Sequence, residues 1–137
     1  MQKRGALMVE FAVILPIFLL LFIGMIYTAM FVHDYTQLDD ITRSASRYGA
    51  VEASGKYDKN NPAPKIQKTK EYIMQNKNNL ILYDLVDTNI NVNIVSIANE
   101  DCIQVDLIAK KTNKIPIAID DILPKDIRSI LKMRIES

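Results

Sequence analysis

Cysteine, histidine and glycine are all scarce in this chain, and each scarcity closes a class of explanation. The one cysteine, Cys102, rules out an intramolecular disulfide. A single thiol is tolerated on either side of a membrane, so it leaves the redox compartment open. His33 is the only histidine. The carboxylate pairs Asp39-Asp40 and Asp120-Asp121 therefore have no His or Cys clustered with them, and adjacent positions on a helix or strand point apart. Neither pair reads as a metal site or an acid–base couple. With four glycines there is no P-loop, glycine-rich fingerprint or nucleophile elbow. No enzyme activity, cofactor or small-molecule substrate is expected. Acids and bases are mixed and the formal charge is +1, so no basic face points to nucleic acid.

Charge is missing altogether from Phe11 to Val32, a run of 22 residues. As a helix it would reach ~33 Å, about the hydrocarbon thickness of a bilayer. The run is too long for the apolar core of a secretory signal, and no small-x-small cleavage site closely follows it. Lys3 and Arg4 favour a cytoplasmic N-terminus, which puts the bulk of the chain outside. All four phenylalanines lie within the first 31 residues, and composition shifts near His33 to Lys, Asp, Asn and Ile. A length of 137 residues suits one small domain plus this appendage.

Helical periodicity continues past the apolar run. Tyr27, Phe31, Tyr35, Leu38, Ile41, Ala45 and Tyr48 recur about every 3.5 residues, with Asp34, Gln37, Asp39, Asp40, Arg43 and Arg47 on a wet opposite face. One helix over residues 6–51 would be ~68 Å long, its lower part (about 11–32) in lipid. Pro16 either kinks or locally melts it, or is tolerated as membrane helices tolerate proline. After a Gly/Asn/Pro-rich loop, a short helix is expected from Pro64 to about Lys77, with Ile66, Thr69, Ile73 and Asn76 inward. The period then becomes two. Ile90, Val92 and Ile94 mark one strand, Ile103, Val105, Leu107 and Ala109 a second, and Ala98 to Asp101 the turn between them. Residues 115–124, bracketed by Pro116 and Pro124, read as irregular or edge structure. The tail alternates at Ile127, Ser129, Leu131, Met133 and Ile135, yet Ile127, Ile130, Leu131 and Ile135 would also line a helix. A third strand is preferred, because it completes a sheet large enough to be stable. The expected fold class is α+β: a long N-terminal helix packed on a small antiparallel sheet head spanning residues 52–137.

Glu10 is the residue that the anchor alone does not explain, since a carboxylate leading into lipid is costly without a partner. GALMVEFAVILP, residues 5–16, resembles the start of the TadE/TadF pseudopilins of tight-adherence (Flp-type) pili, within the type IV pilin superfamily. Gly24 sits where that family often has glycine. RSASRYGA, residues 43–50, resembles its Arg-x-Gly-Ala-Arg-x-Gly pattern with Ala45 in place of a glycine, and MRIE at 133–136 resembles a recurrent ending. The resemblance implies a leader of residues 1–5 and cleavage of the Gly5–Ala6 bond by a prepilin peptidase that recognises Gly5, Ala6 and Glu10. It further implies that Ala6, Glu10, Phe11 and Pro16 govern subunit register and assembly, the free ammonium of Ala6 pairing with Glu10 of a neighbour. Cleavage would leave 15 bases against 16 acids, changing the formal charge to −1. The implied partners are the membrane, the peptidase, other pilins or pseudopilins and the Tad inner-membrane machinery. The implied location is the cytoplasmic (inner) membrane, single-pass with the head periplasmic or extracellular, or a surface pilus.

Blander readings stand beside these. Glu10 in a first helical turn would interact favourably with the helix dipole. Arg43 and Arg47 suit a solvated face paired with Asp39 and Asp40. His33 needs no role beyond an interfacial one, and Cys102 behaves as a small apolar residue. The alternative function is an uncleaved single-pass protein whose external domain binds a ligand or partner. A weaker third reading is a secreted enzyme tethered by its anchor, for which the head offers no candidate residues.

Overall fold

The computed structural model describes residues 2–51, 58, 60–77, 80–97, 100–112 and 122–135, and within the first helix the side chains from Met8 onward. The order is α1 (Gln2–Val51), α2 (Ala63–Asn76), β1 (Tyr83–Asp84), β2 (Ile90–Ile97), β3 (Glu100–Lys111) and β4 (Asp126–Arg134). The protein is α+β, with a helix packed on a small antiparallel sheet. It divides into two units, Met1–Val32 and His33–Ser137.

In the first unit α1 exposes Phe, Leu, Ile, Val and Met side chains all round from Met8 to Ile26. A helix apolar on every side has no water-facing stripe to offer, which is the pattern of a segment made for lipid. Among the described residues it is the one helix long and apolar enough to cross a membrane, which suggests a single-pass membrane protein. α1 runs unbroken through Pro16, so the expected alternative of local melting does not occur. Thr28 Oγ1 donates to the Gly24 carbonyl at 2.8 Å, satisfying a hydroxyl that lipid could not.

The second unit is built around β3. β2 pairs with it from Ile90↔Leu107 to Ile97↔Glu100, and β4 from Cys102↔Arg134 to Lys110↔Asp126. Lys110 also faces Asp84, so β1 and β2 lie along the same side of β3, opposite β4. The tail is therefore a strand, and Ile127 and Ile135 are buried on its inner face. Period-two alternation sends Ile103, Val105, Leu107 and Ala109 inward to meet Ile90 and Val92, all buried. On the outer face Arg128 donates from Nε and Nη2 to the two carboxylate oxygens of Asp106, at 2.8 and 2.6 Å. That hydrogen bonding, then the charge of Asp106, raises the Arg128 pKa. Residues 98–99 of the predicted turn and most of segment 115–124 lie outside the described residues.

The helical faces differ from their sequence expectation in two places. Along α1 the buried row is Asp34, Leu38, Ile41, Thr42, Ala45, Ser46, Gly49 and Ala50, while Tyr35 is exposed. The sequence stripe had placed Tyr35 inside and Asp34 in water, and the correction is a rotation of the stripe by one residue. The two hydroxyl members are admissible because each is satisfied locally: Thr42 Oγ1 donates to the Leu38 carbonyl and Ser46 Oγ to the Thr42 carbonyl, both at 2.7 Å. Along α2 the inward residues are Lys65, Thr69 and Ile73, with Ile66 half-buried and Asn76 exposed. Burial lowers the pKa of the Lys65 ammonium, since desolvation penalises its charged form.

At Gly49 α1 lies close against both α2 and the sheet. A Cβ there would lie 2.5 Å from Ile103 Cδ1 and 2.7 Å from Thr69 Oγ1. Gly49→Ala removes a helix glycine, a gain of up to about 1 kcal/mol, but overpacks a finished core at a cost of roughly 1–3 kcal/mol. The net expectation is a lower unfolding midpoint in urea. An equal or higher midpoint would show that Ile103 and Thr69 move aside freely.

Candidate functional site

The residues singled out for processing and register lie at the start of α1. The Gly5–Ala6 bond falls within its first turns, because the helix begins at Gln2. The side chains of residues 2–7 are outside those described. Glu10 and Phe11 are exposed, and no ion-pair partner of Glu10 stands among the described residues. Ala6 and Glu10 are four apart, hence on one helix face and about 6 Å apart along the axis. In the uncut chain the Ala6 nitrogen is a neutral amide. Hydrolysis of the Gly5–Ala6 bond turns it into an ammonium, the only cation this stretch could present once Lys3 and Arg4 are gone. Pro16 lies inside the helix, two turns further on, with the uncharged run around it. The segment presents one exposed carboxylate in an apolar surround.

In the second unit the sequence reading missed the most constrained polar residue. Asp34 is completely buried, and its carboxylate accepts the backbone N–H groups of Ile81, Leu82 and Tyr83 at 2.9, 2.6 and 3.0 Å. His33 Nδ1 lies 3.2 Å from Asp34 Oδ1. Three successive amides converging on one carboxylate fix the segment that enters β1. Next to them Tyr83 is buried and donates from its hydroxyl to the Pro124 carbonyl at 2.8 Å. Burial raises the Tyr83 pKa, helped by the charges of Asp34 and Asp126. The partners of Asp34 lie 47 to 49 residues away, so no local spacing marks it.

The other singled-out residues fall apart rather than together. Arg43 is exposed and reaches Asp39 at 3.4 Å, one turn below, a surface pair worth under about 1 kcal/mol. Asp39 also accepts a hydrogen bond from Ser129 Oγ at 3.0 Å, tying α1 to β4. Arg47 and Asp40 point to solvent. Cys102 is half-buried on β3. A cleft of about 470 Å³ lies along α2, lined by Gln67, Lys70, Glu71, Met74, Asp87 and Ile90, with no Ser, Thr, Cys or His among its described lining residues. Among the described residues no three His, Cys, Asp or Glu side chains gather where they could hold a metal ion.

Comparison with known families gives one match. Residues 5–47 match the family model of TadE-like proteins, less than a third of the chain and all of it within α1. Over this segment the chain is similar to TadE-like proteins. No curated protein and no solved structure matches it.

Proposed function

We propose, from the TadE-like segment, that this chain is a minor pilin or pseudopilin, a structural subunit of a Tad-type pilus or secretion apparatus. It inserts with its N-terminus in the cytoplasm and its head on the outer side, as Lys3 and Arg4 favour. A prepilin peptidase cuts after Gly5, and the mature chain begins with the ammonium of Ala6. That ammonium pairs with Glu10 of an adjacent subunit in a dry helix bundle, where the pairing offsets two desolvation penalties and sets the axial register. The role is structural rather than enzymatic; the peptidase and the assembly motor are separate proteins.

One observation carries this reading. Gly5 opens the matched segment, and Glu10 follows five residues later at the head of an uncharged run that supplies it no partner. The mass of the protein isolated from its native membrane tests it. Loss of residues 1–5 is the expected result. A chain that keeps Met1, in cells with a working prepilin peptidase, would instead be an uncleaved single-pass protein with an external binding domain.

Glu10→Val makes a second test. It removes the only charge at the head of the apolar run, so insertion is unaffected or improved. Leaving the partner ammonium buried and unpaired costs about 3–5 kcal/mol, enough to lower subunit incorporation more than a hundredfold. Sheared surface pili and membrane fractions, probed on the same immunoblot, separate the two effects. Wild-type pilus yield from this variant would remove the register role.

A further inference from the structure

The face of α1 turned away from the head's core carries a charge pattern that the function above leaves unused. His33, Asp40 and Arg47 are exposed and stand seven residues apart. Two helical turns nearly equal seven residues, so the three form one row with about 10.5 Å between neighbours. Among the described residues neither Asp40 nor Arg47 has an ion-pair partner, whereas Arg43 between them is engaged by Asp39. The row thus presents imidazole, free carboxylate and free guanidinium in order. On the opposite side of the same helix lie the buried Leu38, Ile41 and Ala45, so this face is unneeded for holding the head together.

We infer that this row is the contact through which parallel copies of the chain stack, each displaced by seven residues along the helix axis, with Arg47 of one copy on Asp40 of the next. The inference rests on the proposed role as an assembly subunit, in which all copies share one orientation, and it concerns a different neighbour from the one whose Glu10 meets Ala6. Level packing of two parallel copies would set Asp40 against Asp40 and Arg47 against Arg47, which like-charge repulsion disfavours. A displacement of seven residues converts both clashes. Arg47 meets a carboxylate, and Asp40 comes level with the imidazole of His33, whose Nε2 remains available while Nδ1 faces Asp34. Each copy then uses different residues toward its two neighbours. Such a heterologous contact does not close on itself and propagates along an axis.

Cysteine cross-linking in the full chain, in membranes of cells that make the apparatus and with Cys102 replaced by Ser, tests the displacement. Ser44 and Val51 are exposed beside the row and also seven apart. A mixture of Ser44→Cys and Val51→Cys chains should oxidise to a disulfide-linked dimer, while either variant alone should not. Asp40→Arg added to every copy should lower the yield about tenfold, and Arg47→Asp in the same chains should restore it. Cross-linking of Ser44→Cys chains with one another, no link in the mixture, a link only to a different protein, or failure of the double reversal to restore the yield would each overturn the stack. The N-terminal mass of the same samples separates the two proposals. Loss of residues 1–5 without the cross-link defeats the stack alone, and the cross-link with Met1 retained defeats the maturation step alone.

Discussion

Asp34→Ala should cost the head about 3–5 kcal/mol, a large part of the ~5–15 kcal/mol that stabilises a domain of this size. The substitution does not merely delete an ion. It strips the acceptor from the amides of Ile81, Leu82 and Tyr83, two of which are in buried residues, and each orphaned buried donor costs about 1–3 kcal/mol. It also leaves a void beneath the entry to β1. Asp34→Asn preserves the shape and one acceptor oxygen but turns an NH2 group toward N–H donors, so it should lie between wild type and alanine. Chemical denaturation of the detergent-solubilised chain, together with amide hydrogen exchange at residues 81–83, measures both. Unchanged protection of those amides in Asp34→Ala would mean that water replaces the carboxylate without loss and that the clamp is dispensable.

Gly5→Leu should leave the chain as uncleaved precursor, with the mature form reduced at least about a hundredfold, the scale of loss when a reacting bond is held about 1 Å out of place. Two physical effects act together. A prepilin peptidase must seat the substrate backbone in extended form, and a side chain at the scissile position obstructs that approach. The Gly5–Ala6 bond lies within α1, so the first turns must also unwind, and glycine gives up helix more cheaply than leucine by about 1 kcal/mol. Gly5→Ala adds only a methyl group and should be cut slowly rather than not at all. The consequence downstream is larger than a missed trim. The precursor would keep Lys3 and Arg4 and lack the ammonium of Ala6, so under the proposed pairing Glu10 would have no partner and assembly should stop. Wild-type maturation of Gly5→Leu on an immunoblot would contradict the site.

How far the sequence could be read depended on how local each signal was. The apolar run from Phe11 to Val32 and the period-two strands around Val92, Val105 and Leu131 are set by neighbouring residues, and they were legible. So was the α+β plan of a helix packed on a sheet. The two-residue β1 carries no periodicity and was not foreseen. Asp34 was misplaced because residue type says "solvent", while the amides that satisfy it lie on a distant segment that only the folded chain brings near. Tyr35 was misplaced with it, since one residue of error in helical phase exchanges an inner position for an outer one. Lys65 repeats the lesson on α2: a long cation counts as surface in any pattern, yet it lies among Thr69 and Ile73 on the inward row. In the candidate site, the roles proposed for Gly5 and Glu10 rest on their spacing and surroundings in the sequence.

The place of Asp34 in the chain has a mechanical consequence. It is the second residue of the head unit, so, in the assembly role proposed above, tension on the apolar segment would arrive there before any strand is loaded. Three amide contacts side by side share that load and pass it to the backbone entering β1, whose ladder runs on into the central strand. Bonds loaded in parallel yield together rather than one after another, so this clamp would let the head be pulled by α1 without opening first at β1.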